Sequence, residues 1–357
     1  VPAALGCRDV RVPRPERPND RPPDRRPRET EVLAYALRRL LISVPLLLLS
    51  SAVVYLLVNL SGDPLAELRG RNPPVPEAVL QQRRHDLFLD HSLPSQYWHW
   101  LWGIVHGSFG KSIQSIDIGA DLQHRLAVTL RMVVLAMILA ILLAVVVGVL
   151  SAVKQYSPGD YGATLIGFLA LSMPVFWLAA LLKEFIAIDI NRALGQTFIY
   201  TIGDSTPNLT GSFFARLSNQ LGHLLLPTIA LAAVSYAAWS RYQRSSMLDV
   251  LNSDYIRLAR AKGLSKSRVL VRHALRCALI PLTTVVALDV GAILGGAVIT
   301  ERVFAWHGMG EMLLTSVNAQ DVNRLLAWLM VSAVIVVLFN LFADLLYAYL
   351  DPRIRYA

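Results

Sequence analysis

The chain has 357 residues, 54% of them hydrophobic and 17% charged, with a mean hydropathy of +0.47 and a formal net charge of +9. Soluble domains are about 45–50% apolar and about 25% charged, and here runs of about 20 apolar residues, enough to cross a bilayer core, recur along the sequence. The positive charge lies between those runs and in the first thirty residues, without zinc-finger spacing or an RNP-like aromatic pattern, which argues against a nucleic-acid partner; the class indicated is an integral membrane protein.

Residues 1–30 form a Pro- and Arg-rich segment with almost no apolar content, expected to be a disordered cytoplasmic tail. Arg25-Arg26 resembles a twin-arginine signal, but the apolar stretch that follows has no small-residue cleavage site and is too long for a signal core. Six apolar segments then follow, at Val32–Leu60, Leu126–Val153, Ala163–Ile188, Leu221–Trp239, Leu279–Thr300 and Leu325–Leu350. They predict an all-α architecture of six transmembrane helices over 31–357. Runs this long are not barrel strands, and Pro45, Pro174 and Pro227 are tolerated inside three of them where neighbours satisfy the freed carbonyls.

Basic residues near the segment ends set the orientation. Arg38, Arg39 and Lys154 fall on one side, with the stretch 241–278, which holds Arg241, Arg244, Arg257, Arg260, Lys262, Lys266, Arg268, Arg272 and Arg276, and with Arg353 and Arg355. The opposite connections are poorer in charge, and the long one, 61–124, mixes both signs. Both termini are therefore expected in the cytoplasm, with 61–124 extracytoplasmic. Cys7 and Cys277 make neither a disulfide framework nor a metal site.

The most informative stretch runs from Asp254 to Pro281. Its pattern predicts helix, turn, helix: Ser253 or Asp254 as first cap, basic residues collecting toward the helix end, Gly263 as a left-handed stop, and Ser265 capping a second helix that enters the fifth span. A loop that merely fixed topology would need no caps and no glycine stop. The unit reads as a firm knob offered to another protein.

That loop resembles the element by which permeases of ABC importers engage their ATPases, an alanine-containing helix ended by glycine. Asp254-Tyr255-Ile256-Arg257 through Ala259, Arg260, Ala261, Lys262, Gly263 and Leu264, and His273-Ala274-Leu275-Arg276 leading to Pro281, are similar to the oligopeptide/dipeptide branch. So are Arg38-Arg39-Leu40, Gly62-Asp63-Pro64, Leu93 to Tyr97, Gly107 to Ser112, Ser172 to Trp177, Gly295 to Glu301 with Phe304 and Gly308-Met309-Gly310, Asn340 with Asp344 to Tyr347, and Asp351 to Arg355. The branch commonly has Asn at Cys277 and Pro at His307, two departures.

The resemblance implies a type I importer permease in a bacterial cell membrane, forming half of a translocation path with a second homologous permease. It implies two ATPase subunits carrying ATP and Mg, an extracytoplasmic solute-binding protein, a peptide substrate, and neither a cofactor nor catalysis on this chain. Nickel chelates, glutathione or another small solute stay open as substrates. An ATP-independent secondary transporter is an alternative class, though no convincing inverted repeat is visible. A membrane subunit without a transport path is a third reading.

Other signals carry less. Gly107 to Ser112 imitates a phosphate loop, but Val105 stands where a glycine is required and no strand precedes it. Asp289 sits mid-span, where a charge faces a bundle interior, a partner or water, so it either bonds a neighbouring Ser or Arg or lines the path. Gly291 to Gly295 is a small-residue pattern suited to close helix packing, within the chain or across a pair of permeases, and Gly291, Gly295, Gly296 and Glu301 stand with Asp289 as candidates for the path or for helix packing. Lys183 and Glu184 are expected to snorkel, and Asn340 and Asp344 to bond between helices. Trp98, Trp100 and Trp102 suggest an interfacial belt, with binding-protein docking as the other possibility. His223 and His307 lack ligand spacing, and Asn208-Leu209-Thr210 is a chance sequon.

Overall fold

The structure is a computed structural model, and it describes residues 29–350 apart from 71 and 74. The expected tail falls almost wholly outside the described residues, as do Asp351 to Arg355.

Among the described residues, five helices are long and apolar enough to cross a bilayer. They are α1 (Glu29–Ser61), α5 (Ile118–Val153), α9 (Phe213–Leu251), α12 (Leu275–Phe304, entered through Lys266) and α14 (Val322–Leu350). The expected third span is instead two helices, α6 (Pro158–Ser172) and α7 (Val175–Leu181). The second runs through a wide helical turn, Leu182–Ala187, into α8 (Ile188–Leu194), and the pair is bent by 111°. Pro174 causes the break: its ring clashes with a helical predecessor, and Met173 is extended, at φ −89° and ψ 127°. Counting the bent pair as one span gives six.

α5 and α9 make the central pair. On α5, Ala136, Ala140, Ala144 and Gly148 recur every fourth residue and are all buried. A Cβ on Gly148 would meet Gln243 Cβ at 2.8 Å and the Ser240 carbonyl at 2.9 Å. Small residues at this spacing bring backbones close, which is how helices gain packing energy where lipid offers no hydrophobic drive. α12 packs on α9, α14 on α12, and α1 on α14. Arg244 of α9 holds Asp160 of α6 through two bonds of 2.9 and 2.8 Å, so the Arg assigned to a loop from sequence lies on a helix and ties the bundle.

The ends of the bundle differ. At one, α10 (Asp254–Ala261) and α11 (Lys266–Arg268) link α9 to α12. At the other, α2 (Ala66–Arg69), α3 (Glu77–Asp86) and α4 (Leu93–Val105) build a small lobe between α1 and α5, and α13 (Met309–Asn318) joins α12 to α14. The lobe is pinned to α14 where Ile113 N–H donates to Asp321 Oδ2 at 3.0 Å and Asn323 Nδ2 donates to the Lys111 carbonyl at 3.2 Å.

Candidate functional site

At the α10 end, the helix stops as its glycine requires. Gly263 has φ +76°; its N–H donates to the Arg260 carbonyl at 2.9 Å, and the Leu264 N–H reaches back to Ala259 at 3.4 Å. This is the two-bond Schellman ending, with Leu264 supplying the apolar contact that accompanies it. The expected side-chain caps are not made. Ser253 turns its hydroxyl to the Val250 carbonyl, so the α9–α10 corner uses it, and Ser265 leaves its helix uncapped by side chain.

Two faces result. Ile256 and Ala259 point inward onto Met247, Val269, Ala274, Ala278 and Ala152. Ala259 is therefore an anchor of α10, and of the residues expected at a partner surface it is the one turned away. Asp254, Tyr255, Arg257, Arg260, Ala261, Lys262 and Gly263 are exposed, and Leu264 is half-buried. Leu258, not singled out from the sequence, is 57% exposed on this face and adds an apolar point among the cations. The Asp254–Arg257 pair, at 3.4 Å and open to solvent, stabilises little. Tyr255 bonds Cys277 on α12; burial first, then that thiol, push its hydroxyl up to about 12. Beside α10 opens a cleft of about 650 Å³ whose walls include Leu251, Leu264, Leu270, Arg260 and Lys266.

The remaining candidates lie on α12. Asp289 accepts a hydrogen bond from Trp239 Nε1 at 2.7 Å, so its partner is a tryptophan on α9 and not the Ser or Arg expected. A Cβ on Gly291 or Gly295 would meet nothing within 4 Å, whereas one on Gly296 would touch Leu231 at 3.2 Å. Of the small-residue stripe, only Gly296 packs within this chain. Glu301 is fully buried and works as an anchor: it accepts from the Thr129 hydroxyl and from Gly310 N–H at 2.7 Å, while Met309 N–H donates to Thr129 at 2.8 Å. Its carboxyl thus receives the start of α13. Lys183 does not simply snorkel, since its amine donates to the Val303 carbonyl at 3.0 Å and lies over the Phe304 ring. Asp344 pairs with Arg39 across α14 and α1, as an interhelical role requires.

The lobe end carries an ion ladder the sequence did not announce. Arg324 reaches Asp121 at 2.6 Å, Arg125 bridges Asp121 at 2.7 Å and Glu311 at 2.8 Å, and His307 meets Glu311 at 2.9 Å. His307 thus has a role at its departure from the family pattern. Burial pushes the Glu311 carboxyl up, but bonds from Arg125 and His307 outweigh it and hold the group below its ordinary 4.5. A folded value below the unfolded one gives stability that is present above about 4.5 and lost as pH falls through the lower folded value. Glu311→Gln is therefore expected to flatten that part of the acid-unfolding curve of the detergent-solubilised chain, followed by tryptophan fluorescence. Parent and variant curves that superimpose below 4.5 would sink the assignment.

Long apolar helices, a broken span and a projecting, glycine-stopped basic helix together define a polytopic membrane transport subunit. Residues 144–356 match the family described as binding-protein-dependent transport system inner membrane component, and residues 32–120 match its N-terminal companion. The chain belongs to this family. Among relatives, the oligopeptide transport system permease protein OppB of Mycobacterium tuberculosis is 42% identical over 322 residues, covering 90% of this chain and 98% of its own. The oligopeptide permease AppB of Bacillus subtilis is 37% identical over 90% of this chain and 99% of its own. The dipeptide permease DppB of Escherichia coli K12 is 35% identical over 91% and 99%. A solved chain of the MetNI methionine ABC transporter, in an inward-facing form, aligns with TM-score 0.48 and 16% identity over 64% of this chain and 96% of that one.

Proposed function

We propose that the chain is one of two homologous permeases of an ATP-driven peptide importer in a bacterial cell membrane, and that the outward face of α10 is where an ATPase subunit docks. ATP and Mg act on two such ATPases, and a solute-binding protein delivers peptide from outside. The α10 end then faces the cytoplasm, with both termini. The basic residues gathered at that end support this orientation, and relatives bearing the names of peptide permeases over nearly their whole length support the substrate class.

The observation that carries the reading is the build of α10. Its inner face is locked by Ile256 and Ala259, its stop is set by Gly263, and after a four-residue turn the chain runs through α11 and a wide helical segment, Val269–Ala274, into α12. Nucleotide shifts a two-state equilibrium only through contacts that differ between the states, and a loose loop would dissipate them. A locked helix passes a push from the ATPase into α9 and α12, tipping the permease between its two accessible states.

Co-purification tests this. The tagged chain, extracted in mild detergent from its host, is expected to bring down a second six-span permease and phosphate-loop ATPases. Arg257 is exposed and pairs with Asp254 and the Asn252 carbonyl, so Arg257→Glu is expected to lose the ATPases while keeping the second permease. ATPases retained at parental level by that variant, or absent from the parent, would overturn the proposal.

A further inference from the structure

α4 is apolar on two faces. Tyr97, Trp100, Leu101 and Ile104 turn inward, in one cluster with Tyr55 of α1 and Val322 and Leu326 of α14. Ser51 and Tyr97 share a hydrogen bond of 2.9 Å, and the Tyr55 hydroxyl donates to Gln96 at 2.7 Å. Trp100, expected in the interfacial belt, is thus a core residue, and its two neighbours differ from it. Trp98 is 64% exposed, Trp102 58% and Val105 72%, aligned at helical spacing on the flank next to that inward face. Soluble surfaces seldom keep side chains this large in one exposed stripe.

The depth of α4 follows from α1 and α14. Near the α10 end these helices are joined by the Arg39–Asp344 pair, and near the lobe by the Tyr55, Val322 and Leu326 contact. Between Arg39 and Tyr55 a helix rises about 24 Å, against a hydrocarbon core about 30 Å thick. With the charged pair at one boundary, Tyr55 stands within about 6 Å of the other, and α4 is bonded to α1 there, through Tyr97 to Ser51 and Gln96 to Tyr55. Leu56, Leu57 and Leu60 of α1, in the turns beside and beyond Tyr55, are also exposed, which extends the apolar surface there. Tryptophan is the residue that favours this layer, because its ring is apolar and its N–H is polar.

We propose that Trp98, Trp102 and Val105 are seated in the interfacial layer of the leaflet at the lobe end, so that headgroups and upper acyl chains cover this face of α4 and hold the lobe at a fixed depth. The inference needs neither the substrate nor the orientation proposed above. It is tested on the full chain, with its co-purifying subunits, in vesicles of phosphatidylcholine brominated either near the headgroup or near the acyl-chain end. The emission that separates the parent from Trp98→Phe/Trp102→Phe is expected to be quenched most by the shallow bromine and little by aqueous iodide. Quenching of that emission by iodide and not by bromine would show an aqueous face and overturn the proposal. Quenching by neither would show a protein cover and overturn it equally. Each single Phe variant serves if the double variant does not elute as the parent does.

Discussion

Gly310→Ala is expected to abolish transport and to lower the thermal stability of the chain by an amount near the upper end of the about 1–3 kcal/mol typical of overpacking. A Cβ at 310 would lie 2.5 Å from Val298 Cα and 2.9 Å from Glu301 Oε2. The first of these is backbone and cannot swing away. Gly310 also gives its N–H to the buried Glu301 carboxyl, so displacing it strips a partner from a group that no water reaches, at a further cost of about 1–3 kcal/mol. At Gly308 the clash is with Glu301 and Thr129 side chains, at 2.3 and 2.5 Å. Those side chains can move, but only by breaking the bonds that seat α13. Heating the solubilised chain and reading the surviving monodisperse fraction by size exclusion gives the order expected: Gly310→Ala lowest, Gly308→Ala next, Gly291→Ala and Gly295→Ala equal to parent. A Gly310→Ala chain as heat-stable as the parent would rule out the α12–α13 contact described above.

That ordering could not be read from the sequence, where Gly291 and Gly295 suited packing either within the chain or across a pair of permeases, and within the chain they meet nothing. The stripe that brings helices together is on α5, at Ala136, Ala140, Ala144 and Gly148. Both patterns repeat every fourth residue, and spacing alone does not say which one has a helix opposite it. The charged ladder was hidden for a related reason. Asp121 and Arg125 meet Arg324 and Glu311 from far along the chain, and a charge beside an apolar run looks the same whether paired or free.

The spans themselves were legible because hydropathy reports contact with lipid, and segment ends were less so because helices run on past it. α5 begins at Ile118, eight residues before its apolar run, to carry Asp121 and Arg125 to the ladder; α9 runs from Phe213 to Leu251 and carries Arg244 to Asp160. Proline was ambiguous. Pro45, Pro227 and Pro281 stay inside helices, while Pro174 breaks one. The difference lies in the partners: α6 turns to pack on α9, and α7 on α12 as well as α9. At the candidate site, the left-handed stop was visible because it is a property of one residue. The hydroxyl caps were not, since Ser253 had a competing acceptor in Val250.

Gly263→Pro is expected to remove transport while leaving the chain in the membrane at parental abundance. Proline fixes φ near −65°, and position 263 stands at +76°. It also lacks the N–H that Gly263 gives to Arg260. Both losses fall on the end of α10 and neither falls inside a span. The space around Gly263 is open, with nothing within 4 Å of an added Cβ, so size is not the cause and a series can isolate conformation. Asn visits the left-handed region readily, Ala pays about 1 kcal/mol or more for it, and a β-branched residue is a true outlier there. Uptake of a labelled peptide by the reassembled importer should therefore fall in the order Gly, Asn, Ala, Val, Pro, with retained ATPase falling in step. If uptake followed side-chain volume instead, so that Asn fell below Ala, the site would be a steric contact and the left-handed stop would not be what couples α10 to its partner. If every variant transported normally, α10 would not be the coupling element at all.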